Sequence, residues 1–240
     1  QTIRLLDKFN NEKIKIINLQ FNRGYSQAVN SAILESRLEK ILILNPDTVL
    51  NSNAVIDLYE ILENPKVGLV GGKLLNLDGS FQISSRRHFP TLGIFFSYFF
   101  RLDRMFPKNT FFGKYNYTYI DNNLQMEVDA VSGACMMFSK STFNSVGGFD
   151  ERFFIYFEDT DFCFKVQSKG YKVLYCPNAK ILHHNNYSDN YHAKKFYFYE
   201  SLEKFIYKYR DKICWSLLIY YLAKLMKCIF YLKRRFMAII

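Results

Sequence analysis

Three short apolar runs punctuate the first seventy residues, each separated from the next by a stretch with helical spacing. Ile14 to Leu19 is short enough for a buried strand, and Ala28, Val29, Ala32 and Ile33 then recur at helical spacing within Gly24 to Leu38. Lys40 to Leu44 predicts a second buried strand. Ser52 reads as the cap of a helix carrying Val55, Ile56, Leu58, Ile61 and Leu62. That helix stops at Asn64-Pro65, because the residue before a proline is pushed out of the helical region. Val67 to Val70 predicts the third strand. Strand, helix, strand, helix, strand implies a parallel sheet with helices packed on its faces.

Beyond residue 72 the texture changes. Asp78-Gly79 reads as a hairpin turn between Lys73 to Leu75 and Phe81 to Ile83. Residues 94 to 120 are aromatic-rich, and Ile94-Phe95-Phe96 with Tyr98-Phe99-Phe100 suit a core helix, an acceptor groove or a membrane-facing lip. Met126 to Val131 and Cys135 to Phe138 are strand-like around Ser132-Gly133-Ala134. Glu158 to Ser168 predicts a helix ended by Gly170, and Tyr171 to Cys176 and Ala179 to Leu182 predict short strands split by Pro177. The first half therefore reads as a nucleotide-type α/β wind and the second as mixed.

At 240 residues with 49% apolar and 22% charged side chains, the chain is long and apolar enough for a buried core. The net charge of +10 fits a phosphate-bearing substrate, an anionic membrane surface or plain compositional bias. No basic run interleaved with stacking aromatics and no finger or helix-turn-helix spacing points to nucleic acid. Five cysteines without a C-x-x-C pair fit a reducing, cytoplasmic setting. The stretch 211–240 differs from the rest and reads as a basic amphipathic tail. Lys212, Lys224, Lys227, Arg234 and Arg235 share one broad helical face, while Lys224 interrupts the apolar run before it reaches the ~20 residues of a span. The pattern suits a helix lying on the inner face of the cell membrane, a helix packed on the domain, or a short span.

The chemistry concentrates in two places. Five carboxylates lie between Gly147 and Asp161, and Asp47 follows the apolar strand Ile41 to Leu44. Ligands of open α/β sheets bind beyond such strand ends. Asp47, with His183 after a later strand, suits a divalent cation, Mn2+ or Mg2+, that draws its remaining ligands from phosphate oxygens. Asp159 opens a helix, whose N-terminus keeps a carboxylate ionised and able to take a proton from a hydroxyl. Glu158 and Asp161 either orient it or complement the same helix dipole. Taken one at a time, these residues equally suit a turn, a cap and a hydrogen-bonded core histidine.

Six ordered motifs resemble family 2 glycosyltransferases, above all the rhamnosyltransferase-like branch that builds bacterial surface polysaccharides. They are Asn22-Arg23-Gly24-Tyr25 with Ala28 and Asn30, Leu44-Asn45-Pro46-Asp47-Thr48, Val128-Asp129 with Ser132-Gly133-Ala134, Gly147 to Phe154, Glu158-Asp159-Thr160-Asp161, and His183 with Ser188. The resemblance covers residues 14 to 210 and implies a GT-A-like mixed sheet. That sheet has a parallel nucleotide-binding half, helices on both faces and C-terminal helices. It also implies inverting transfer of a hexose from a nucleotide-diphosphate sugar to a hydroxyl of a glycan or polyprenyl-linked acceptor. By the same resemblance Asp159 is the base, Asp47 and His183 (with His184 as the fallback) hold the metal, and Asn22, Gly24, Asn45 and Asp47 bind the donor. Gly133 and Ala134 form the junction of donor sugar and acceptor, and Arg86 and Arg87 fall near a family arginine, which makes them candidates to face phosphate.

The family's opening strand-helix-strand unit, roughly 30 residues, has no counterpart before Gln1, which itself reads as mid-helix. The sequence is therefore expected to be an N-terminally truncated domain over 1–210, weakly active or inactive as it stands. Two other classes compete: a nucleotidyltransferase on a similar sheet, and a non-catalytic basic scaffold at the membrane.

Overall fold

The structure is a computed structural model, and it describes residues 13–184 and 191–237. Its elements run α1 (Tyr25–Glu35), β1 (Lys40–Leu44), β2 (Thr48–Leu50), α2 (Ala54–Leu62), β3 (Val67–Leu75) and β4 (Arg86–Arg87). Next come α3 (Leu92–Phe99), α4 (Leu102–Met105), β5 (Met126–Glu127), β6 (Ala130–Val131), β7 (Cys135–Ser139) and α5 (Lys140–Val146). The chain continues through α6 (Glu158–Ser168), β8 (Lys172–His183), α7 (Tyr191–Lys208) and α8 (Ser216–Met237). A six-stranded sheet has the order β1-β7-β3-β8-β2, with β5 on a further stretch of β8, and β4 pairs with β6 in a second small ladder.

Strand periodicity sorts the core onto the two faces of this sheet. Ile41, Ile43, Leu69, Met136 and Phe138 meet Ile33 of α1 and Phe162 and Val166 of α6 on one side. Val70, Leu74, Met137 and Ile181 meet Ala54, Leu58 and Leu62 of α2 on the other. Both faces are thus covered, as a buried sheet requires.

β1 and β3 run parallel to each other as the sequence reading has them, but their pairing departs from it. β1 and β3 are not neighbours: β7 lies between them and is antiparallel to both, while β8 runs parallel to β3. Periodicity reports which face a side chain takes but nothing about strand direction, so the inserted antiparallel strand was invisible. Ile14 to Leu19 forms no strand, and its apolar side chains stay exposed. A strand persists only where a ladder satisfies its backbone, and this run pairs with none of the described strands.

Smaller corrections follow from backbone details. The α2 cap is Asn53 and not Ser52, and no side chain caps it. Asp78-Gly79 does turn the chain, but the pairing ends after the single bridge Leu75 to Phe81, and Ile83–Ser85 winds into a 3-10 turn. Met126 to Val131 is split between two ladders. Pro177, read as a strand break, lies in a bulge of one continuous strand, where the register jumps from Gly72↔Cys176 to Lys73↔Lys180. Gly72 sits at that bulge, where a Cβ would lie 2.9 Å from the backbone oxygen of Ala179.

A third cluster joins the C-terminal helices to the domain. Tyr199, Leu202, Phe205 and Ile206 of α7 pack with Ile219, Ala223 and Phe230 of α8 and with Phe95, Phe153 and Phe157. Polar bonds fix the orientation: Lys208 Nζ bridges Asp150 (2.7 Å) and the fully buried Asp161 (2.6 Å), and Tyr209 OH donates to Asp161 (2.8 Å).

Candidate active site

Asp47 lies in the turn from β1 to β2, and His183 is the last residue of β8, paired with Thr48. That register brings His183 Nε2 to 3.4 Å from Asp47 Oδ1. His184 N donates to Asp47 O, so the following residue continues the ladder and its backbone, not its ring, meets the turn. The buried Gln82 accepts at 2.9 Å from His183 Nδ1 while its own amide donates to His183 O at 2.8 Å. Gln82 Oε1 can only accept, so Nδ1 carries a proton and Nε2 is the ring nitrogen that faces Asp47. Such support of a ring by an outer partner is the arrangement of metal-binding histidines.

The donor set fits a divalent cation with one hard oxygen and one nitrogen. Among the described residues no group of three His, Cys, Asp or Glu side chains forms a full cage. Two side chains suffice for an ion that completes its shell with water and phosphate oxygens.

The acid cluster divides by direction. Tyr156 and Phe157 both take left-handed backbone (φ 67° and 64°) and turn the chain into α6. Non-glycine residues there cost about 1–3 kcal/mol each, and such strain gathers at sites where geometry matters. Asp159 Oδ2 accepts from Arg87 Nη2 (2.6 Å) and Gly133 N (3.0 Å), and Oδ1 from Thr160 N (2.7 Å) and Thr160 Oγ1 (3.2 Å). A carboxylate has about four lone-pair positions, so Asp159 is saturated.

Glu158, its neighbour, is buried with Oε2 lacking any hydrogen-bond partner among the described residues. Burial first, and then the charge of Asp159, push its carboxyl up to about 8. Native Glu158 thus keeps its proton well above the ordinary 4.5. Because the folded state binds more protons than the unfolded one between those values, its contribution to stability is complete below about pH 4.5 and is lost as pH rises toward 8. Glu158→Gln is therefore expected to gain melting temperature relative to the parent as pH rises from 5 to 8. A difference that stays flat across that range would contradict the buried, protonated state.

Asp161 faces away from Asp159, toward Lys208 at the end of α7 and Tyr209 just beyond it, and so acts in the docking of the C-terminal helices. Tyr25 OH donates to Gly133 O at 2.9 Å; its hydroxyl is pushed up by burial and by Glu158 and Asp159. Asn22 Oδ1 accepts from Gly24 N in a local turn. Gly24 (φ 96°) approaches Phe154 so closely that a Cβ would lie 2.5 Å from Phe154 O. These two residues shape the start of α1 against the segment leading to the acids.

One framework links the two halves. Asn45 N donates to Ala134 O, and the adjacent Gly133 N binds Asp159, so the Asp47 turn and the acid share the Ser132–Ala134 loop. The same loop is held from the β4 side by Ser132 N to Ser85 O, and Ser85 N in turn bonds Gln82 O. Gln82 and Arg87 therefore serve both halves from one segment, and sequence reading missed Gln82 entirely. The phosphate-facing role expected of Arg86 is overturned. Its guanidinium is fully buried and donates to the carbonyls of Asp121, Tyr117 and Ile120, bracing the 117–126 loop. Arg87 is engaged by Asp159 and by Val131 O. Ser188 lies outside the described residues.

Comparison with known proteins gives the same outline. The model of the glycosyl transferase family group 2 matches residues 40–237. The N-acetylglucosaminyl-diphospho-decaprenol L-rhamnosyltransferase of Mycobacterium tuberculosis is 28% identical over 187 residues, covering 73% of this chain and 60% of that protein. The rhamnosyltransferase WbbL of Escherichia coli is 24% identical over 176 residues, covering 72% and 62%. The chain thus spans about 60% of the length of these curated relatives. Among solved structures, mannosyltransferase PcManGT of Pyrobaculum calidifontis, in complex with GDP-Man and Mn2+, superimposes with a TM-score of 0.57 at 16% identity, covering 88% of this chain and 50% of that one. GalNAc-T7 with UDP, GalNAc and Mn2+ gives 0.57 at 13%, covering 85% and 38%. These likenesses show the GT-A fold.

Proposed function

The chain belongs to glycosyl transferase family group 2, and from that premise we propose that it transfers a sugar from a nucleotide-diphosphate donor to a hydroxyl of a glycan or lipid-linked acceptor. The observation that carries this reading is the strand-end pair, Asp47 Oδ1 and His183 Nε2 at 3.4 Å, joined through the Ser132–Ala134 loop to Asp159. The relatives' names put L-rhamnose first among donor sugars to try, and a lipid-linked acceptor first among acceptors.

Asp159 takes the proton of the acceptor hydroxyl once Arg87 or Thr160 Oγ1 withdraws. The acceptor oxygen then forms its bond to the anomeric carbon as the bond to the diphosphate breaks on the opposite face, which inverts the centre. Asp47 and His183 would hold the divalent cation, and Gln82 keeps His183 in the tautomer that suits it. When bound, such a cation neutralises the charge that grows on the leaving diphosphate. Asn45, Gly133 and Ala134 shape the floor between the two halves, and positioning there supplies much of the rate. The basic tail, 211–240, we assign to an anionic membrane surface, where a lipid-linked acceptor would be presented.

Nucleotide sugars screened with Mn2+ present test the reading. Release of nucleoside diphosphate with one donor is expected. Pyrophosphate as the product, or no turnover with any donor, would overturn it.

A further inference from the structure

We propose that the surface meeting the bilayer is composite: the aromatic segment 92–114 and the outer stripe of α8 dock together on an anionic membrane. The inference rests on the membrane assignment of the tail and extends it to a second part of the fold. Residues 92–114 carry four basic side chains and one acid, the buried Asp103; residues 212–237 carry six basic side chains and no acid. Nine of the ten net positive charges of the chain therefore fall in these two segments. Lys227 pairs with Glu203, but Arg101, Arg104, Lys108, Lys114, Lys212, Lys224, Lys233 and Arg234 form no ion pair among the described residues.

The same segments expose apolar surface. On α8, Leu217, Tyr221, Leu225, Cys228 and Leu232 are exposed, and at 100° per residue they share a stripe about 80° wide. Ile219, Ala223 and Phe230, on the opposite side of the helix, are the residues buried on α7. α8 thus has two apolar faces, one packed and one bare, with Lys224 beside the bare one. A helix with a single job of packing on the domain needs only the first.

Segment 92–114 repeats the combination. Phe96, Phe99, Phe100, Met105, Phe106 and Phe111 are exposed, although Phe95 of the same helix is buried in the cluster it shares with α8. α3 and α8 pack against each other, which puts the two segments side by side. Arg101 takes left-handed backbone (φ 57°) at the turn between α3 and α4, which sets a cation at the end of the aromatic run. Exposed aromatics alternating with unneutralised arginine and lysine fit acyl chains beneath anionic headgroups. No described helix is long and apolar enough to cross a membrane, so the surface lies on the bilayer.

Vesicle co-flotation tests this with the full chain. The parent is expected to bind phosphatidylglycerol-containing vesicles, to bind pure phosphatidylcholine at least tenfold more weakly, and to be released by high salt. Phe100→Glu with Phe111→Glu, and separately Leu225→Glu with Leu232→Glu, should each lower partitioning at least tenfold. Melting temperatures should hold, because all four side chains are exposed. Loss in the α8 variant with full binding in the 92–114 variant would refute the composite surface while leaving the tail assignment standing. A parent that ignores all vesicles would refute both, and so would a lipid-free dimer that either variant dissociates, since a second copy would then cover the stripe.

Discussion

Replacing Asp159 by Asn is expected to lower sugar transfer by ~10^2 to 10^4-fold, the usual worth of a positioned general base, and to change the donor dissociation constant by less than about threefold. The amide oxygen can still accept from Gly133 N or Arg87, so the loop keeps its shape, but it cannot take the acceptor's proton. Because four hydrogen-bond donors engage the carboxylate, substrate binding has to free one of its positions. Arg87 is the natural one to move, since the other strong donors belong to backbone. Steady-state kinetics beside equilibrium donor binding measure the split. A variant that loses transfer and donor affinity equally has lost a binding residue, and the base assignment falls.

Asp47→Asn is expected to weaken binding of Mn2+ with a nucleoside diphosphate by about 100-fold or more, as removal of a charged ligand from a Lewis-acid site worth several kcal/mol requires. Gln82→Leu should have a smaller effect of the same kind, about 10–100-fold, since it touches only the support of His183. Electron paramagnetic resonance of free Mn2+ reads both without any turnover. The order of the two effects matters. A Gln82 variant worse than the Asp47 variant would mean that the Gln82 contact serves folding and not the cation, and Asp47→Asn with parental affinity would remove Asp47 from the site.

How much of this was legible in the sequence depends on the range of the interaction. Asp47 announced itself because four apolar residues in succession make a strand and ligands gather past its end. Asp159 and its neighbours stood out by density of charge at a helix start. Their division was not legible. Whether Asp161 or Asp159 faces the site depends on Lys208 and Tyr209, nearly fifty residues away, and on the paired left-handed residues Tyr156 and Phe157, whose side chains give no hint of that backbone. Gln82 and Arg87 carried no local signal either, since their roles come from the distant partners His183 and Asp159. In the sheet, the apolar runs marked β1, β3 and β7 as strands, yet strand order is a property of pairs that no single run encodes. The tail's cations were plain in the sequence, whereas its second apolar face became visible only once the first was seen buried.

Everything functional here depends on three distant side chains serving one reaction centre. A crystal structure with Mn2+ and a nucleoside diphosphate tests that most directly. We expect the cation on Asp47 and His183, the diphosphate between it and the Ser132–Ala134 loop, and Asp159 facing the space where the sugar would sit. A nucleotide bound elsewhere, or bound with Asp47 and His183 still facing only each other, would contradict it.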